Sequence, residues 1–186
     1  NIINEKQIVV YFCGSYDILD FGGVAAHDRH IKLCYPNRKF FKGPQQKKEL
    51  LSYINNYKKE EVIIITDNHL SCDIPNEYNV ILVHHGCALT TAERNPDWDP
   101  YWKNLCTEGQ KQMLSYRNPD TTIIMSTSES CTFDFTKYFG DKYTKFNIIK
   151  LLNTSEFDTT LLKDNTLKIE NRKPIIIGNF ENVKKG

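Results

Sequence analysis

The sequence has no CxxC pair. Its six cysteines, at 13, 34, 72, 87, 106 and 131, lie far apart. That spacing excludes a zinc ribbon and argues against a disulfide scaffold. It leads to the expectation of reduced thiols in a cytoplasmic protein. Long apolar runs are also missing: no stretch approaches the ~20 residues of a membrane span. No signal-peptide pattern is present. Net charge is nearly absent, since 24 Lys+Arg against 23 Asp+Glu leave +1. So even a balance excludes a strong general field for nucleic acid or an anionic membrane, and leaves room only for a local patch. There is no GxGxxG fingerprint, no GxSxG elbow and no i,i+4 histidine pair. Dinucleotide binding, serine hydrolysis and a helical zinc site therefore lack their usual spacing. No internal repeat, heptad or low-complexity tract occurs.

What is present suits one domain. The chain has 186 residues, 40% of them apolar and 12% aromatic, enough for a sizeable core. Its organising stretch is Val80-Ile81-Leu82-Val83-His84-His85-Gly86. Four apolar residues running into polar ones read as a strand buried on both faces. In an open parallel sheet, ligands bind beyond the carboxyl ends of the strands. Two imidazoles and a glycine would stand there. Taken alone, the pair fits a ligand site and a pair of ordinary strand-end histidines equally well.

The pattern recurs along the chain. Ile8-Val9-Val10-Tyr11-Phe12 reads as a first strand ending at Cys13-Gly14-Ser15. Gly22-Gly23 follows, then a helix over 24–33. Glycines there would admit an anion to helix N-terminal N–H groups, though a simple turn explains the pair as well. Lys39-Phe40-Phe41 reads as a short strand, and residues 45–57 as a helix with Leu50, Leu51 and Ile54 on one face. Val62-Ile63-Ile64-Ile65-Thr66 is a strand ending in Asp67-Asn68-His69. A long helix opens at Pro100 and reaches about residue 116. Asp97-Trp98-Asp99 spells the DxD of metal-dependent glycosyl transfer, but its place between prolines at a helix start suits capping, with Asp99 as N-cap. Trp98, Tyr101 and Trp102 have helical spacing, which favours core packing over sugar stacking. Thr121-Thr122-Ile123-Ile124-Met125 is a strand, residues 132–139 a helix ended by Gly140, and residues 146–151 a strand. The polar, Lys-rich 158–173 reads as a linker, and 174–178 as a last strand. Alternating strands and helices make this α/β, a Rossmann-like open parallel sheet of about six strands with helices on both faces.

Several segments, in order, resemble the N-terminal, acceptor-side half of a GT-B-fold glycosyltransferase. Phe21-Gly22-Gly23-Val24 stands where such enzymes carry a glycine pair opening the first helix. Val83-His84-His85-Gly86 is similar to their strand ending in His-Gly. Ile123 to Glu129, followed by Phe135 to Gly140, resembles their strand, Ser-Glu and helix. Residues 145–152, then Asn153 and Asp158, resemble the strand before their Asn-Gly-Val-Asp turn. Pro174 to Phe180, with Lys185-Gly186, resembles the strand, Gly-Arg-Leu and Lys-Gly that begin their second domain. Two departures stand out: Asn153-Thr154-Ser155 lacks the glycine of that turn, and Asn179 replaces an arginine that helps hold donor phosphate.

The resemblance implies a division into 1–157 as the N-terminal glycosyltransferase domain, 158–173 as linker, and 174–186 as the start of a donor-binding domain or a strand returning to the first. It implies a nucleotide-sugar co-substrate, a glycan or other hydroxyl acceptor, and no essential metal. The chain alone is expected not to turn over without a donor-binding half. His85 is the expected general base if the reaction inverts; in retaining members the matching histidine contacts the transferred sugar instead. Gly22, Gly23 and Gly86 are the expected donor-phosphate or sugar contacts. Asp20, His27, Asn68, His69 and Glu129 are the expected acceptor contacts, although His27 and Glu129 also fit solvated helix-start positions. His84 is expected in a packed or hydrogen-bonded supporting role, because adjacent strand residues point to opposite sides. The alternative from another class is a non-catalytic Rossmann-like binding module or partner subunit. A metal site from His69, His84 and His85 lacks ligand spacing.

Overall fold

The computed structural model describes residues 7–14, 25, 27, 28, 31 and 38–150. The chain separates into two compact units, Asn1–Asn153 and Thr154–Gly186, and all the described residues belong to the first. The expectations for 158–173 and 174–186 lie outside them, as do Asp20, Gly22 and Gly23.

Six strands form one sheet: β1 (Ile8–Cys13), β2 (Lys39–Lys42), β3 (Val62–Asp67), β4 (Asn79–His84), β5 (Thr122–Ser126) and β6 (Asn147–Lys150). Their order is β2-β1-β3-β4-β5-β6, and every neighbouring pair is parallel. The central strands are Val/Ile/Leu-rich runs without alternation, as burial on both faces requires. The register pairs Asp67 with Val83 and His84 with Ser126. Gly14, Asp67, His84 and Ser126 thus follow or end four parallel strands at one edge.

The helices are α1 (Lys47–Ile54), α2 (Ala88–Arg94), α3 (Pro100–Tyr116), α4 (Glu129–Phe139) and α5 (Asp141–Thr144). One sheet face carries Val10, Phe12, Ile64, Leu82 and Ile124. Leu50 and Ile54 of α1, Met113 and Leu114 of α3, Phe135 of α4 and Tyr143 of α5 join these in the core. Tyr11 belongs to the opposite face by alternation. There it meets a helical segment carrying Ala25, His27, Asp28 and Ile31. Helices therefore cover both faces.

Local chemistry sets the ends. Asp99 Oδ1 accepts from Trp102 N at 3.1 Å, with Pro100 at the first helical position, so capping accounts for Asp99. Ser128 caps α4 through Cys131 N, which starts that helix at Glu129, three residues before the sequence-predicted start at Thr132. Gly140 ends it at φ 50°, a conformation that suits glycine. Arg117, 1% exposed, joins three segments: its guanidinium donates to the carbonyls of Ile74 and Tyr78 and to Thr122 Oγ1. It pins the entries to β4 and β5 together.

Two sequence expectations fail here. Helix α2 was not foreseen. Tyr101 and Trp102 are not core: they are 68% and 54% exposed, because the first turns of α3 run past the packed body.

Candidate active site

The carboxyl edge gathers titratable side chains from three strands and a helix. Asp67 is the last residue of β3, and His85 follows β4 directly. His85 Nε2 lies 3.2 Å from Asp67 Oδ1. A carboxylate only accepts, so Nε2 carries the hydrogen and the ring's lone pair falls on Nδ1. The side chains are 15% and 10% exposed, dry enough to strengthen the pair and open enough to be reached.

His27 meets His85 edge to face, with ring centroids 5.0 Å apart. Behind His27 stand Tyr11 and Asp28. The Tyr11 hydroxyl donates to Asp28 Oδ1 at 2.5 Å and lies 3.4 Å from His27 Nδ1. Its hydrogen is committed to Asp28, so its oxygen is the acceptor for His27. Burial raises the Tyr11 phenol far above its ordinary range, helped by the charges of Asp67 and Asp28, so it stays neutral and donating. Burial also raises the Asp28 carboxyl, the nearby Asp67 charge adds to that rise, and His27 and Tyr11 pull it back. Asp28 is fully buried, and its Oδ2 has no partner among the described residues.

His84 faces the other way. It is fully buried, stacked on Phe135 at 4.3 Å and on Tyr143 at 5.8 Å. Among the described residues neither ring nitrogen has a partner. Burial, with the neighbouring His85 a lesser cause, holds its pKa down to about 3, so the ring is neutral. The two adjacent histidines therefore belong to different environments: His85 to the polar edge, His84 to the core.

The loop after His85 is clamped from α3. Gln110, 3% exposed, donates to Gly86 O and accepts from Ala88 N, both at 2.8 Å. A Cβ built on Gly86 meets nothing within 4 Å among the described residues, so its own packing does not demand glycine. That leaves the backbone beside His85 open to close approach.

The other expected contacts divide. Asn68 closes a turn, its carbonyl accepting from Ser71 N and Oγ, and its Oδ1 is buried with no partner among the described residues. His69 is exposed and its Cβ packs on Gly109 of α3, where a glycine Cβ would lie 2.7 Å from it. Glu129 is drawn to Lys150 at 2.6 Å on the surface rather than into the His85 cluster. Among the described residues, no group of three or more His, Cys, Asp or Glu is placed to hold a metal ion, and no helix is long and apolar enough to cross a membrane. Cys72, Cys87, Cys106 and Cys131 are free thiols. A groove of about 360 Å³ opens at the amino ends of β4, β5 and β6, lined by Asn79, Thr121 and Asn147 among others. It contains none of the candidate residues.

Tyr11, Asp28 and Gln110 were not among the residues picked from the sequence. Each leaves a trace there. Tyr11 is the one hydroxyl-bearing residue in an apolar strand. Asp28 stands four residues after Val24 and three before Ile31, on an apolar helix face. Gln110 precedes Met113 and Leu114 by three and four residues, again on the buried side.

The chain matches no family model, no curated protein and no solved structure.

Proposed function

We propose that this unit is the acceptor-side half of a nucleotide-sugar-dependent glycosyltransferase, with His85 as the group that takes the acceptor's proton. The observation that carries the reading is the His85–Asp67 pair at the carboxyl edge of an all-parallel sheet, beside a glycine whose Cβ position meets nothing within 4 Å among the described residues. The ordered resemblance of the strand-end segments supplies the reaction class.

The chemistry follows from the geometry. Asp67 holds Nε2–H, which orients the ring and favours the imidazolium that forms when Nδ1 takes a proton. The acceptor oxygen then bonds to the anomeric carbon as the sugar–phosphate C–O bond breaks. The bonding pair leaves with the diphosphate, and the proton stays on His85. A donor-binding half, holding nucleotide and diphosphate, completes such a site.

The test is transfer from radiolabelled nucleotide-sugars to a panel of glycans by the full natural protein. His85→Ala is expected to lower kcat on the order of 10²–10⁴-fold with the fold intact, the usual contribution of a general base. An unchanged rate in His85→Ala would remove His85 from the chemistry. Transfer lost instead in a stably folded His84→Ala would reverse the roles of the two histidines. Nucleotide-sugar binding without transfer to any acceptor would favour a binding module.

A further inference from the structure

Helix α3 continues past the sheet. It leaves the carboxyl edge after β4 and returns to the amino edge before β5. Gln110 is level with Gly86, and Gly109 with His69, just beyond β3. Residues 100–104 are all exposed, whereas Thr107, Gly109, Gln110, Met113 and Leu114 are buried. At 1.5 Å per residue, the turns before Gly109 rise about 12 Å above that level.

The exposed end carries a pair of large aromatic rings. Tyr101 and Trp102 meet edge to face at 5.3 Å and are 68% and 54% exposed. Trp102 stands seven residues before Gly109 and eleven before Met113, so all three share one helix row. Lower down, that row packs on His69 and into the core. At Trp102 it is exposed, beyond the carboxyl edge of the sheet.

Two occupants are disfavoured by the neighbourhood. The exposed turn holds Lys103 close to the capping Asp99, so it offers no single-sign field to an anionic membrane surface. Aliphatic residues, which would suit a protein partner's apolar face, are absent from the exposed turn 100–104. An exposed aromatic pair with neither aliphatic neighbours nor a charge of one sign in its turn fits a neutral ligand with one apolar face and a rim of hydroxyls.

We propose that Trp102, with Tyr101 beside it, is a stacking platform for a sugar ring of an oligosaccharide acceptor, one ring or more away from the reacting hydroxyl. The substrate class rests on the transferase reading; the binding itself is measured without it. Trp98 and Trp102 are the two tryptophans of the sequence, so Trp98→Phe leaves Trp102 as the reporter. Titration of that variant with α-glucan, β-glucan and α-mannan tetrasaccharides is expected to shift its emission with at least one series, whereas the matching monosaccharides at equal concentration are not. In the full natural protein, Trp102→Ala is expected to raise KM for the oligosaccharide about tenfold with little change in kcat, and Trp102→Phe to restore most of the loss.

If no transfer is found but a tetrasaccharide still shifts Trp102, the platform stands and the transferase reading falls. If transfer is found and Trp102→Ala matches the unmodified protein on every oligosaccharide acceptor, the platform is overturned and the transferase reading survives. No emission shift with any of the three series would also overturn the platform. A dimer that Trp102→Ala dissociates, or vesicle binding that it abolishes, without a sugar response would assign the patch to those partners instead.

Discussion

His84 and His85 differ by one position and by nearly everything else. Alternation along β4 sends one ring between Phe135 and Tyr143 and leaves the other against Asp67. The pairing with Asp67 has a consequence for mutation. Asp67→Asn retains an acceptor oxygen but loses the charge that stabilises the protonated ring. It can also turn its amide toward His85 and select the wrong tautomer. Transfer by Asp67→Asn is expected to fall by at least about tenfold, less than for His85→Ala. Transfer rates of Asp67→Asn and His85→Ala under the same conditions check it, and an Asp67→Asn rate equal to that of the unmodified protein would remove Asp67 from the chemistry. The sequence shows Asp67, Asn68 and His69 as one polar cluster. It does not show that Asp67 alone reaches His85, because that contact spans two strands and depends on register. The Tyr11–Asp28 bond is hidden for the same reason.

Among the elements, the strands were legible and the short helices were not. Five apolar runs in the described residues mark β1, β3, β4, β5 and the edge strand β6 within a residue or two, and in the four inner strands the reason is that doubly buried strands need continuous apolar sequence. Helix α2, seven residues with Thr90 and Thr91 inside, has neither the length nor the propensity to announce itself. It forms because it packs on α3 and because Gln110 holds its first N–H. Helix α3 itself contains a glycine that propensity alone would replace. Gly109→Ala should gain up to about 1 kcal/mol in an exposed helix. Here the new methyl would meet His69 Cβ at 2.7 Å, and that atom is fixed to the backbone of the turn after β3. The net expectation is destabilisation of about 1–3 kcal/mol. Urea melts check it, and His69→Gly in the same chain should recover most of the loss, as coupled contacts do. A stabilised Gly109→Ala would show that the turn shifts freely.

At the scale of the whole molecule, two buried cationic or potentially cationic groups set the conditions under which the fold holds. Arg117 is solvated by carbonyls rather than by a carboxylate. Arg117→Met removes the donors of Tyr78 O and Thr122 Oγ1, while Ile74 O keeps the Tyr116 hydroxyl. Each buried acceptor left unmet costs about 1–3 kcal/mol, so a loss of several kcal/mol in equilibrium unfolding is expected. A loss below about 1 kcal/mol would mean that water replaces the guanidinium at no cost.

His84 acts through pH. Its folded pKa of about 3 lies below the ordinary 6.5. The unfolded chain therefore takes up a proton as pH falls through 6.5, while the folded chain does not until near 3. The sign is fixed: His84 leaves stability untouched above about pH 7 and erodes it as pH falls from 6.5 toward 3. The slope from one such group is about 1.4 kcal/mol per pH unit. Ordinary carboxylates titrate in the same window, so the measurement is a difference against His84→Leu. Leucine fills the stacked site without a proton to bind, and neither ring nitrogen leaves a partner behind. Near pH 7.5 the two proteins are expected to differ by no more than about 1.5 kcal/mol, the usual span of a volume-conserving core change. From pH 6 to pH 4 the Leu variant should gain on the unmodified chain by about 2–3 kcal/mol, read as the change in the gap between their unfolding free energies. A constant gap across that range would mean that His84 is protonated in the fold, paired with a group that the stack against Phe135 and Tyr143 does not provide.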